Sequence, residues 1–227
     1  MTTTDAEKRS RPRNRRVWIH VALALLLTLV VIASVGQPSS TSMSPTLERG
    51  DRILINRLAY VGADPGQGDI VVFRPDASWG ERPPTSSNPI VEAVRQAGDV
   101  TGIRPFVLVK RVIAGPGQTV ECCDADGSVV VDGEALPEPY LVDDLPFVPG
   151  EVDCDSTPRS ERCFTQVTVP DDSYLVLGDN RANSADSAFR CRGQGTADAE
   201  CWRWVRKGDV IGKAFLVFWP LSRWATL

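Results

Sequence analysis

Residues 106–113 read Phe106-Val107-Leu108-Val109-Lys110-Arg111-Val112-Ile113. The run is apolar and rich in β-branched side chains, which fit a pleated, half-buried strand. With a period of two, Phe106, Leu108, Lys110 and Val112 share one face. A lysine on an apolar face has two readings. It is a charge that guards an exposed sheet edge, or an ammonium buried in the interior, where desolvation depresses its pKa. In the second state the neutral amine can take a proton from a serine. Arg111 falls on the opposite face and is expected to be solvated.

Outward from this strand the chain repeats the same kind of signal. Residues 52–56, 70–73, 164–169, 173–177 and 210–218 read as strands, bounded by Gly-, Pro- and Asp-rich turns such as 48–51, 66–69 and 114–117. Residues 120–121 and 129–131, with the Asp132-Gly133 turn, suggest a hairpin. The expected fold is therefore mostly β, a β-rich domain over residues 36–227. Inserted loop-rich regions are expected at about 74–105 and 121–170, with brief helical potential near residues 90–96. Residues 188–200 read as a further polar loop.

A second stretch carries hydroxyls: Thr41-Ser42-Met43-Ser44-Pro45-Thr46-Leu47. A serine is a nucleophile only when something removes its proton, and histidine usually does so. His20 is the one histidine of the chain, and it lies inside an apolar run. A Ser-His-Asp triad and a Cys-His pair are both excluded. If Ser42 is a nucleophile, its base is a lysine or a carboxylate. The residue before Pro45 is expected to hold the backbone extended. A third polar cluster, Gly178-Asp179-Asn180-Arg181 through Ser187, follows a strand. It reads either as a simple Asx-type turn or as a set of groups that orient a lysine amine.

Residues 17–35, VWIHVALALLLTLVVIASV, contain no Asp, Glu, Lys or Arg. A spanning helix needs about 20 residues, so this run is expected to cross a membrane as a single pass. A cleaved secretory signal is the alternative, but the run exceeds the usual apolar core of such a peptide. Residues 1–16 form a basic tail of net charge +4, which fixes that end in the cytoplasm and puts residues 36–227 outside. The remainder sums to −8, which argues against nucleic acid as a partner. Cys122, Cys123, Cys154, Cys163, Cys191 and Cys201 suit an oxidising compartment. The pairs Cys154–Cys163 and Cys191–Cys201 are expected, whereas the neighbours Cys122 and Cys123 are expected to avoid each other. With no CxxC pair and no histidine in the body, no zinc site and no cofactor are expected.

In order and in type, these segments resemble the bacterial type I signal peptidase family. Residues 42–47 are similar to its nucleophile box, 68–73 to its next strand, and 110–117 to its general-base box. Residues 178–187 resemble its fourth box, and 210–214 its closing strand. The resemblance implies a membrane-bound serine endopeptidase that cuts signal peptides from exported preproteins after an Ala-x-Ala-like motif. Ser42 would be the nucleophile and Lys110 the base. Ser40 would supply an oxyanion hydroxyl, Ser184 would hydrogen-bond the lysine amine, and Asp186 would support it. Pro38, Met43, Leu47, Leu108 and Val109 would line the pockets for residues before the cut. Partners would be preproteins and membrane lipid, and the chain is expected to be a monomer. The family's arginine after the Asp-Ser pair is replaced here by Ala188, with Arg190 as a candidate substitute. Two rivals are a non-enzymatic, membrane-anchored β module that binds a partner, and a self-cleaving regulator of the same chemistry. Trp202, Trp204, Trp219 and Trp224 are candidates either for an interfacial seat or for core packing.

Overall fold

A computed structural model describes residues 17–21, 23, 33–80, 87–91, 93–94, 106–142, 144–194 and 199–227. Among these residues the β-branched runs form strands in the order expected. They are β1 (Ala33–Gly36), β2 (Arg52–Asn56), β3 (Ile70–Phe73), β4 (Leu108–Ala114), β5 (Thr119–Cys122) and β6 (Val129–Val131). There follow β7 (Glu134–Ala135), β8 (Phe164–Thr168), β9 (Ser173–Leu177), β10 (Val205–Arg206), β11 (Val210–Trp219) and β12 (Ala225–Thr226). The fold is mostly β, as the patterning predicts.

The larger sheet runs β1-β2-β11-β3-β4-β9-β10, with β12 beside β11, and every pair is antiparallel. β4 is therefore an interior strand with β3 on one side and β9 on the other. β3 is buried along its whole length, as its unbroken apolar run requires. The smaller sheet, β7-β6-β5-β8, is built by the inserted region. Asp132 and Gly133 take φ of 51° and 84°, the pair of positive values that a tight two-residue turn demands. They join β6 to β7, whereas the sequence pattern attaches this turn to the 120–131 hairpin.

Apolar side chains collect in three clusters. Met43, Leu47, Ile53, Ile55, Ile70, Val72, Ala214 and Val217 fill one, with Val109 packed against it. Val71, Phe73, Val112, Tyr174 and Val176 fill the second, with Leu108 packed against it. The third lies between the smaller sheet and the segment carrying Ala188, Cys191, Cys201 and Trp202. The successive residues Leu108 and Val109 of β4 thus serve different clusters, as a period of two dictates.

Several expectations change at the boundaries. Phe106 and Val107 precede β4 rather than open it, and Ala114 extends it. Ala33, Ser34 and Val35, taken from sequence as the end of the apolar span, pair with β2 instead, in register with Asn56, Ile55 and Leu54. Residues 17–21 and 23 are helical; residues 22 and 24–32 of the span lie outside the described residues, as does the tail 1–16. Among the described residues no helix is long and apolar enough to cross a membrane. Residues 89–91 and 93–94 are helical, while 81–86, 92 and 95–105 of the expected loop are outside the described set.

The cysteines pair as Cys154–Cys163, Cys191–Cys201 and Cys122–Cys123. The last pair corrects the expectation that adjacent cysteines stay apart. With the other four committed locally, each neighbour is the other's remaining partner.

Gly212 sits where β11 crosses β2 and β3. A Cβ there would meet Asn56 C at 2.9 Å and Arg57 Cα at 3.0 Å, both backbone atoms that cannot rotate away. Gly212→Ala should therefore lower the unfolding free energy by about 1–3 kcal/mol. Urea denaturation in detergent measures it, and an unmoved midpoint would show that the two strands can separate freely.

Candidate active site

The stretch 41–47 folds as successive turns. Ser44 N–H donates to the Thr41 carbonyl at 3.0 Å and Leu47 N–H to the Met43 carbonyl at 2.8 Å. These bonds replace the extended conformation expected before Pro45. They bury Ser42 while leaving Ser40 exposed, with the two hydroxyl oxygens 3.2 Å apart. Asn180 N–H then donates to the Ser42 carbonyl at 3.1 Å, and Asn183 Nδ2 to Thr41 Oγ1 at 2.9 Å. The third polar cluster is thus stitched to the first across more than 130 residues of chain.

Lys110 enters from β4, opposite Val71 of β3. It is only 3% exposed, so the edge-guard reading fails and the buried reading holds. Its Nζ stands 2.7 Å from Ser42 Oγ and 3.1 Å from the Val109 carbonyl. Burial lowers its pKa from 10.5 to about 8, against an opposing pull from the Asp186 and Asp179 carboxylates. Desolvation wins because no carboxylate contacts the amine.

Both carboxylates are occupied elsewhere. Asp179, fully buried, accepts from Arg111 Nε at 2.8 Å, Arg111 Nη2 at 2.6 Å and Thr46 Oγ1 at 2.5 Å. Arg111 also donates to the Gly68 carbonyl at 2.9 Å and stacks on the Tyr140 ring, 4.0 Å from its centroid. The expectation of a solvated Arg111 is corrected, because the planar guanidinium is clamped on both edges. Asp186 accepts from Gly178 N–H at 3.1 Å and Arg192 Nη2 at 3.0 Å. Arg192, not Arg190, provides the cation beside Asp186 in the absence of an arginine at position 188.

Ser184 is buried, but its hydroxyl makes no hydrogen bond, so the expected bond to the lysine amine is not formed. It is nevertheless close. A Cβ built on Gly178 would collide with both Ser184 Oγ and the Ser42 carbonyl oxygen, which brings the two serines to one point. Of the expected pocket residues, Met43 and Leu47 are core side chains, and Pro38, Leu108 and Val109 are half-buried. Leu108 packs on a different cluster from Val109 and Met43, so the five do not share one lining.

Residues 14–219 match the family model described as signal peptidase, peptidase S26. The chain belongs to the signal peptidase family. Signal peptidase I of Mycobacterium tuberculosis (strain H37Rv) is 37% identical over 99% of this chain and 79% of its own. The probable signal peptidase I of Mycobacterium leprae is 36% identical over 95% and 81%. The probable signal peptidase I-2 of Synechocystis is 30% identical over 97% and 81%. Membership in this family makes the chain a serine hydrolase that cuts peptide bonds.

Sequence reasoning passed over two working pieces of this signal peptidase. The Arg111–Asp179–Thr46 clamp was visible only as adjacency to Lys110 and to the turn at residue 178. The Arg192–Asp186 pair depends on the turn at 188–192, where Cys191 and Arg192 N–H both donate to the Ala188 carbonyl. Breaking the clamp by Asp179→Ala leaves Arg111 largely buried without a counter-charge, a loss of about 3–5 kcal/mol for a buried pair cut on one side. A large drop in melting temperature is expected together with loss of peptide cleavage. Wild-type stability in this variant would show that the clamp is dispensable.

Proposed function

We propose that this chain is a membrane-anchored endopeptidase that removes signal peptides from exported preproteins, with Ser42 as nucleophile and neutral Lys110 as its base. The observation that carries the proposal is the 2.7 Å approach of a buried, unpaired amine to a buried hydroxyl. In the neutral state Lys110 accepts the Ser42 proton as Oγ attacks the scissile carbonyl. The Ser42 N–H and the Ser40 hydroxyl face the developing oxyanion. Lysine then returns the proton to the leaving amine, and an acyl-enzyme ester remains on Ser42. A water that enters gives its proton to Lys110 as its oxygen attacks the ester. The bond from Ser42 Oγ to the acyl carbon breaks, Lys110 returns the proton to Ser42 Oγ, and the acid leaves. Ser184, whose hydroxyl lies beside Gly178 with no partner among the described residues, would steady the amine as the serine moves. Asp186 supports that loop rather than the amine itself.

Small apolar residues before the cut, as in Ala-x-Ala, suit the apolar side of the dyad, where Met43 and Val109 pack in one cluster and Pro38 and Leu108 are half-buried nearby in sequence. The membrane reading draws on the apolar run of residues 17–32, residues 33–35 being paired with β2, and on two exposed tryptophans, Trp219 at 50% and Trp224 at 59%, flanking an exposed Leu221. Trp202 and Trp204 instead stack on each other at 5.7 Å and serve the core. Trp18 and Val17 are exposed as well. Such aromatic rings favour the headgroup zone. A non-catalytic anchored module would have no use for a lysine desolvated against a serine.

The test is an Ala-x-Ala reporter peptide cut by the full chain in detergent. Ser42→Ala and Lys110→Met should each abolish cutting, and wild-type turnover in either would reject the dyad. Ser40→Ala should slow turnover by about 10²–10³-fold, the usual cost of one oxyanion donor.

The pH profile has a fixed sign. The active form is the neutral amine, and its pKa is about 8, so roughly one lysine in ten is neutral at pH 7. The rate should climb about tenfold per unit below that value and level off above it. A profile flat from pH 6 to 9 would exclude lysine as the base.

A further inference from the structure

A cavity of about 540 Å³ opens against the Ser184 side of the dyad, with Arg159, Glu161, Arg181, Ser184, Phe189 and Arg192 on its wall. Two of its three arginines are committed. Arg181 is paired with Glu138 and donates to the Gly178 carbonyl, and Arg192 is paired with Asp186. Arg159 is not. Its Nε is buried and has no hydrogen-bond partner among the described residues, and Ser184 Oγ is in the same condition. An arginine on a cavity wall with no counter-charge among the described residues is a place for an anionic acceptor.

The presentation of Arg159 is built, not incidental. It lies in the loop closed by Cys154–Cys163. Its neighbour Ser160 is buried, donating from N–H to the Asp153 carbonyl at 2.9 Å and from Oγ to the Pro146 carbonyl at 2.5 Å. Glu161, the acid among the lining residues, is exposed and makes no ion pair with Arg159.

None of Pro38, Met43, Leu47, Leu108 and Val109 lines this cavity, whereas Ser184, which approaches the Ser42 carbonyl oxygen beside Gly178, does. A peptide that rests its small residues before the cut on the apolar side carries the residues after the cut towards the cavity. We propose that this cavity is a subsite for the mature part of the preprotein, in which Arg159 binds an acidic side chain within the first few residues after the scissile bond. The proposal rests on the signal-peptide reading of the same active site.

Reporter peptides sharing one Ala-x-Ala segment, and differing only in Glu, Gln or Lys at the first, second or third position after the cut, test it on the full chain in detergent. At one of these positions the wild type should prefer Glu over Gln by on the order of tenfold in kcat/KM, as expected for a charge-assisted hydrogen bond. The gain should appear mostly in KM and shrink as salt is raised. Arg159→Gln should bring the Glu/Gln ratio to about one, and Arg159→Glu should favour Lys over Glu. Equal rates for all wild-type reporters, or a Glu preference that survives Arg159→Gln, overturns the proposal while leaving the peptidase reading intact. If all reporters are cut alike but Arg159→Gln weakens binding to phosphatidylglycerol vesicles, the cavity is a headgroup site and the substrate assignment falls. A wild type that cuts none of the reporters refutes the peptidase reading, and this subsite with it.

Discussion

The structure depends on keeping one lysine amine out of water and out of reach of a counter-ion. Lys110 meets the first condition because β4 is interior to the larger sheet, flanked by β3 and β9. An edge strand would offer the ammonium solvent, and desolvation would no longer pull its pKa from 10.5 to about 8. The partner hydroxyl comes from a turn 68 residues earlier, fixed by bonds from Asn180 and Asn183. Three distant segments therefore converge on the Ser42–Lys110 contact, and none makes the site alone.

The second condition is met by two arginines. Asp179 and Asp186 are both fully buried near the amine, and either one, left free, would hold it protonated. Arg111 takes Asp179 with two hydrogen bonds, and Arg192 takes Asp186 with one. The arginines thus favour the unprotonated state of Lys110 indirectly: they occupy the anions that would otherwise stabilise its ammonium form. The same pairs also hold the fold together, since Asp179 ties β4 to the turn at 41–47 through Thr46.

Most of this was legible in the sequence because strands and turns have local signatures. β2, β3 and β9 fall at the expected residues, since each is a compact apolar run between turn formers. The absence of histidine from the body left a lysine or a carboxylate as the base before any geometry was known. What escaped was non-local. β1, β10 and β12 are short and become strands through pairing with β2, β9 and β11 rather than through their own pattern. The state of Arg111 was misread because alternation gives the face of a residue but not the carboxylate waiting there. The division of the four tryptophans between core and surface was likewise undecidable, for the same indole suits either place.

Ala188 stands directly after Asp186 and Ser187, and the cation beside Asp186 comes from Arg192 instead. Ala188 is fully buried and packs in the core cluster with Cys191, Cys201 and Trp202, a place with no room or solvent for a guanidinium. Four residues on, the turn that returns Arg192 N–H to the Ala188 carbonyl points its side chain back at Asp186 and at the Ser184 carbonyl, 3.4 Å from Nη1. Cys191, the residue before it, is bonded to Cys201, which anchors that turn against the segment leading to β10. The disulfide therefore does more than close a loop of ten residues. By fixing the turn, it holds Arg192 on Asp186, and through that pair it keeps an acid away from the Lys110 amine.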